Sequence, residues 1–257
     1  MSLENALTVS NLTVSYGKTL ALWDINLSLP KANIIGVIGP NGAGKSTFLK
    51  AVIGLVKPVS GKVEFDGKSY SEVLRKIAYV PQRESVDWDF PINVRQLVTM
   101  GRYGRVGFLK RLKKADYAAS DHYLKLVGLE EVADRQISEL SGGQKQRAFL
   151  ARALIQDADI YFLDEPFSGI DMASEKVIME LLKQQKMKGK TIFVVHHDLN
   201  SVKNYFDWLI LLNLRLVGSG PVDTVFTKDK LNEAYGKSYS LFDEATKLSE
   251  IKLEGLI

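Results

Sequence analysis

Hydrophobic positions along the chain fall into short runs separated by polar turns. The run Ile34-Ile35-Gly36-Val37-Ile38 has no alternation. A continuous apolar strand of that length is the pattern of a parallel strand covered on both faces. Glycine-rich sequence and then a helical pattern follow it, so residues 34–52 read as a strand, a loop and a helix. Upstream, Ala6-Leu7-Thr8-Val9 and residues 22–29 predict strands of an N-terminal antiparallel β segment. Further strands are predicted at Lys62-Val63-Glu64-Phe65, Ile77-Ala78-Tyr79-Val80, Ile160-Tyr161-Phe162-Leu163 and Thr191-Ile192-Phe193-Val194-Val195. The last two enclose a helical pattern over about 173–187, a βαβ unit of the kind that builds parallel sheets. From roughly 83 to 153 the pattern is mainly helical and predicts an inserted helical subdomain. The mixed-charge, weakly amphipathic residues 228–257 predict a terminal helical appendage.

Composition narrows this picture only slightly. The 257 residues are 46% hydrophobic and 25% charged, enough apolar side chain for one composite α/β domain with an insertion. No apolar run approaches the eighteen or so residues of a membrane-spanning helix, so no span is expected. The first residues show neither a basic nor an apolar leader region, which predicts a cytosolic location. Zero cysteines exclude disulfides and thiolate metal sites, and three histidines leave little for a resident transition metal. A net charge of +4 suits nucleic acid or anionic lipid headgroups equally and decides nothing.

Candidate chemistry begins with Gly39-Pro40-Asn41-Gly42-Ala43-Gly44-Lys45-Ser46-Thr47, which matches G-x-x-x-x-G-K-[ST] between a strand and a helix. Such glycines let backbone N–H groups curl around phosphate oxygens while the following helix points its positive end at the same anion. Lys45 is then expected on the β- and γ-phosphates and Ser46 on Mg²⁺, the metal arriving with the nucleotide. A glycine-rich turn capping a helix is the alternative. Asp164 and Glu165 end a buried strand, where an unpartnered carboxylate would be costly. A magnesium–nucleotide complex supplies the partner: Asp164 holds the metal or its water and Glu165 serves as general base. Alone, the pair could equally be acids in a solvated turn before Pro166. Leu140-Ser141-Gly142-Gly143-Gln144 opens an amphipathic helix running to about residue 155. Ser141 there reads either as an ordinary N-cap or as part of a second anion-binding helix terminus.

Together, this phosphate loop, Leu-Ser-Gly-Gly-Gln, Asp164-Glu165 and a later histidine resemble the nucleotide-binding subunits of ABC transporters over nearly the whole chain. The resemblance implies a P-loop, RecA-like core at about 1–84 and 154–227, a helical subdomain at about 85–153, and a C-terminal appendage at 228–257. It implies ATP and Mg²⁺ as ligands and two copies sandwiching two ATP molecules, each phosphate loop facing the partner's Ser141, Gly142, Gly143 and Gln144. By the same resemblance Tyr16 stacks on adenine, though it could be a strand-end core tyrosine. Gln82 reaches Mg²⁺ or the lytic water, and His197 rather than His196 contacts the γ-phosphate, since neighbours at a strand end point oppositely. Asp171, in Ser168-Gly169-Ile170-Asp171, matches an interface loop, with Gly169-Ile170 departing from the commoner Ala-Leu. His122 is expected to face solvent.

The stretch from Arg83 through Trp88, Asp89 and Phe90 to Tyr103-Gly104 resembles the ATPase subunits of bacterial importers for manganese, zinc or iron. In that family the region receives a permease's cytoplasmic coupling helix; the alternative is that Trp88 and Phe90 pack inward. Residues 102–114 hold six basic residues and no acid, a solvated loop or a contact with permease or headgroups. The implied protein is a peripheral subunit on the cytoplasmic face of the bacterial plasma membrane, partnered by a permease and indirectly by an extracytoplasmic metal-binding protein, with no nucleic acid. Another cargo, such as haem or a siderophore, would share every ATPase residue. A soluble ABC ATPase acting on ribosomes or DNA is disfavoured, because the chain has one set of motifs and no long coiled-coil insertion.

Overall fold

In the computed structural model, which describes residues 4–107 and 110–236, two long strands, β1 (Asn5–Tyr16) and β2 (Thr19–Pro30), precede the short strand β3 (Ile34–Ile38). Then come α1 (Lys45–Val52), β4 (Ser60–Glu64), α2 (Tyr70–Val73) and β5 (Ile77–Val80). The next stretch carries α3 (Val94–Met100), α4 (Tyr103–Val106), α5 (Lys114–Leu126) and α6 (Gly142–Leu154). After β6 (Ile160–Asp164), α7 (Met172–Met187) and β7 (Thr191–Val195), the chain ends in α8 (Val202–Tyr205), β8 (Trp208–Asn213), β9 (Arg215–Pro221), α9 (Val222–Val225) and α10 (Lys228–Tyr235).

Contacts divide the described residues into two units, the first formed by 4–8, 28–35 and 63–196. Its centre is the parallel set β5, β6, β7, to which Ile34 and Ile35 of β3 add in the order β5-β6-β7-β3. Register sets Tyr79 opposite Phe162 and Phe162 opposite Phe193. Every residue of β6 and of β7 is buried, as the continuous apolar runs require. Phe162 stacks on Phe193 at 4.6 Å and takes the edge of Phe65 at 6.3 Å. Truncating such a ring to alanine costs about 3–5 kcal/mol.

The basic run begins at α4 and ends at the start of α5. Arg102 pairs with the buried Asp116 at 2.9 Å, and Arg105 with Asp157. Two of the six basic residues are thus paired with acids outside the run, while Lys110, Arg111, Lys113 and Lys114 are exposed, as the solvated reading expects. Thr99 and Ser120 share a buried hydrogen bond of 2.7 Å where α3 meets α5. His122 is exposed on α5.

The second unit comprises residues 9–27, 36–62 and 197–236. It holds much of the three-stranded sheet β2-β1-β4, and the rest of β3 continues in the order β3-β8-β9. The antiparallel hairpin β8–β9 pairs from Trp208↔Pro221 to Asn213↔Arg215 and turns at Leu214, whose φ is 59°. With Gly218, Gly220 and Pro221, β9 carries no strand pattern of its own and was not expected from the sequence. α10 seats Leu231 and Ala234, and Asn213 Nδ2 donates to Ala234 O at 3.0 Å. Residues 237–257 of the expected appendage lie outside the described residues.

Candidate nucleotide site

In the second unit the loop Gly39 to Thr47 leads from β3 into α1. Gly39, Gly42 and Gly44 have φ of 153°, 79° and 91°, a region that side chains disfavour. A Cβ on Gly39 would strike the carbonyl oxygen of Leu212, and one on Gly44 that of Ala21. Leu214 N–H donates to Ala43 O at 3.1 Å, so the hairpin turn holds the loop from behind. Lys45 is buried, and its Nζ donates to Gly39 O and Pro40 O, each at 2.9 Å. No side chain caps α1 at Gly44 and no acid lies in its first turn. Its leading N–H groups and the Lys45 ammonium thus concentrate positive charge on one concave loop, the electrostatics of an anion site. Ser46 and Thr47 follow in the first turn. Tyr16 ends β1 about half exposed, which fits a ring offered for stacking rather than a core tyrosine. Burial pushes the Tyr235 hydroxyl upward, with backbone of Gly39 beside it lowering it in part.

In the first unit, β5 and β6 bring Gln82, Asp164 and Glu165 together. Asp164 is fully buried and bonded to the Tyr79 side chain. Burial first, and the Asp164 charge second, push the Tyr79 hydroxyl far above its ordinary value. Gln82 Nε2 donates to Glu165 Oε2 at 3.3 Å. Glu165 has φ of 52°; a non-glycine residue in that region carries strain of about 1–3 kcal/mol. The residue lies directly after the buried strand β6, where its carboxylate meets Gln82.

Ser141 is the N-cap of α6: its Oγ accepts from Gln144 N at 3.3 Å, and Gln144 Oε1 accepts from Ser141 N–H at 2.9 Å. The N-cap alternative is thus realised, while Ser141 itself stays exposed. Asp171 caps α7, accepting from Ser174 N and Ser174 Oγ at 2.9 Å each, and these bonds, the backbone one first, hold its carboxyl below the usual range. A Cβ on Gly143 would lie 3.2 Å from Ser174 Oγ, so the starts of α6 and α7 adjoin. His196 is buried edge-on against Phe167 at 5.5 Å, and the next residue, His197, is exposed, in agreement with opposed side chains at a strand end.

The segment after Gln82 splits the two expected aromatics. Trp88 packs its ring edge-on to Phe149 at 5.2 Å, lies 4.9 Å from Lys145 Nζ, and donates Nε1–H to Arg83 O at 2.9 Å. Phe90 is about half exposed. In the sequence nothing separates Tyr79 from a core strand tyrosine, and nothing in the stretch that begins at Arg83 announces that its side chain lies beside Gly142 and Gly169.

A family model described as ABC transporter matches residues 22–168. The manganese transport system ATP-binding protein MntB of Bacillus subtilis is 55% identical over 228 residues, covering 89% of this chain and 91% of the relative. The zinc transport system ATP-binding protein TroB of Treponema pallidum is 50% identical, covering 94% and 92%. Among solved structures, an inward-facing metal-chelate type ABC transporter matches with TM-score 0.78 and 29% identity over 91% of this chain and 89% of that one. The ADP conformation of the ATP-binding cassette MJ1267 matches with TM-score 0.74 and 25% identity over 90% and 98%.

Proposed function

Because this chain belongs to the ABC transporter family, we propose that it hydrolyses ATP to drive uptake of a divalent metal ion, manganese or zinc, through a membrane permease. The observation that carries the ATPase reading is the Gln82–Glu165 hydrogen bond onto a carboxylate held at positive φ. With Nε2 committed to Glu165, Oε1 is the atom Gln82 has left to offer a cation or a water.

The family motifs assign the remaining roles. The loop Gly39, Pro40, Asn41, Gly42, Ala43, Gly44, Lys45, Ser46, Thr47 binds the triphosphate, and Tyr16 stacks on adenine. Glu165 takes a proton from the attacking water and His197 contacts the γ-phosphate. Ser46, Gln82 and Asp164 offer hydroxyl, amide and carboxylate oxygens, the hard donors magnesium takes, so the residues fit that ion. Bound with the triphosphate, magnesium neutralises charge on its oxygens. A second copy lends Ser141, Gly142, Gly143 and Gln144 to complete the site. Residues 1–227 form the ATPase domain on this reading, with Phe90 and its neighbours receiving a permease helix at the cytoplasmic face of the membrane. No described helix is long and apolar enough to cross a membrane, so the span belongs to the partner. An extracytoplasmic metal-binding protein delivers the ion to it.

A strain lacking this chain is expected to lose high-affinity manganese or zinc accumulation, restored by the wild-type chain and not by Glu165→Gln. Unchanged uptake of both metals would overturn the cargo while leaving the ATPase reading intact. A chelated metal is the second reading, supported by the 29% likeness to a metal-chelate type transporter.

A further inference from the structure

Tyr235 is the last residue of α10, in the same unit as the phosphate loop. Leu231 and Ala234 are buried where α10 meets β8 and β9, and Asn213 Nδ2 holds the carbonyl of Ala234, one residue before Tyr235. The residues on either side of Asn213 touch the loop. Leu212 sets its carbonyl oxygen where a Cβ on Gly39 would strike it, and Leu214 donates its N–H to Ala43 O. One turn of chain thus carries both the back of the phosphate loop and the end of α10.

The Tyr235 oxygen is sealed from solvent and makes no close hydrogen bond among the described residues, although the backbone of Gly39 lies beside it. That backbone draws the hydroxyl part of the way down from the rise that burial causes. A donor does this and a carbonyl does not, so Gly39 presents its N–H. A buried hydroxyl without a close partner is unfavourable, and a shift of Gly39 that closes the gap is favoured. Gly39 is also where loading the loop changes the bonding. Lys45 Nζ donates to Gly39 O and Pro40 O, and it has to share or leave those carbonyls to meet a phosphate.

We propose that Tyr235 is a positioning residue for ATP: its hydroxyl accepts the Gly39 N–H more closely when the loop holds a triphosphate, so α10 adds to nucleotide affinity without touching the nucleotide. This rests on the reading of Gly39 to Thr47 as a triphosphate loop. A contact strengthens binding only by the difference it makes between the two states of the loop. The Tyr235 hydroxyl, short of a bond here, has that difference to contribute.

The test measures MgATP binding to the full chain by titration calorimetry in a Glu165→Gln background, where hydrolysis does not consume the ligand. Tyr235→Phe, which removes only the hydroxyl, is expected to raise the dissociation constant roughly three- to tenfold. Its melting temperature without nucleotide should be unchanged or higher, since the hydroxyl removed makes no close bond. With Glu165 restored, KM for ATP should rise while kcat holds, the signature of a contact equal in ground state and transition state. Tyr161→Phe removes another hydroxyl buried without a close bond and is expected to keep the parent's affinity. An unchanged dissociation constant in Tyr235→Phe, or an equal rise in Tyr161→Phe, overturns the proposal. So does a Tyr235→Phe chain that fails to fold or melts lower without nucleotide, because the hydroxyl then belongs to the stability of the free chain. A parent that binds no MgATP overturns the phosphate-loop reading itself, and this proposal with it.

Discussion

Gln82 Nε2 lies 3.3 Å from Glu165 Oε2, joining the residue that opens the docking segment to the carboxylate that follows β6. One hydrogen bond thus connects the two residues to which the proposed function gives the sensing of a partner and the orientation of a water.

Glu165→Gln should retain ATP binding while steady-state hydrolysis falls by about 10²- to 10⁴-fold, the range for loss of a general base. Phosphate release and nucleotide binding on the same preparation check this, and near-normal turnover would refute the assignment.

Gln82→Glu puts a second carboxyl group beside Glu165. Like charges at that separation raise one of the two pKa values, so the acidic limb of the pH–rate profile should move to higher pH. Gln82→Ala should lower turnover without that displacement.

Ser141→Arg should abolish hydrolysis while the monomer still binds ATP, because in the proposed shared site Ser141 and the loop Gly39 to Thr47 serve different nucleotides. Loss of binding as well would place Ser141 in its own subunit's site.

Asp116 is held below the usual carboxylate range, first by the Lys113 backbone N–H and then by Arg102. A depressed folded pKa stabilises fully above the unfolded value of about 3.9 and is lost as pH falls through the folded one. Asp116→Asn should therefore lower the urea midpoint at neutral pH, and the gap to wild type should close below about pH 4.

Trp88→Ala should cost about 1–3 kcal/mol in denaturant unfolding, since it removes the Phe149 contact and the bond to Arg83 O. Phe90→Ala should change stability by less than about 0.5 kcal/mol and instead weaken co-purification with a permease.

Legibility in the sequence followed how local the cause was. The five apolar residues of β3 and the run in β6 dictated two-sided burial, and Gly39 to Thr47 needed a strand before it and a helix after it, which the pattern supplied. The Asp171 cap fixed the start of α7 within a residue of the expectation. What was hidden depends on contacts between distant segments. β9 exists because Arg215 to Pro221 find partners on β8, although their own composition argues for a turn. The positive φ of Glu165 follows directly on a buried strand, and no neighbouring residue announces it. Arg83 sits in a stretch whose acids and aromatics mark a surface, yet its guanidinium turns to Gly142 and Gly169.

The backbone of Glu165 also has a meaning for how this chain responds to laboratory selection. Glycine reaches its φ without the steric penalty a side chain incurs, so Glu165→Gly is expected to relieve local strain while removing the base. A library screened only for heat resistance would drift toward losing this residue. Any evolved variant sought for durability has to be selected on turnover at the same time.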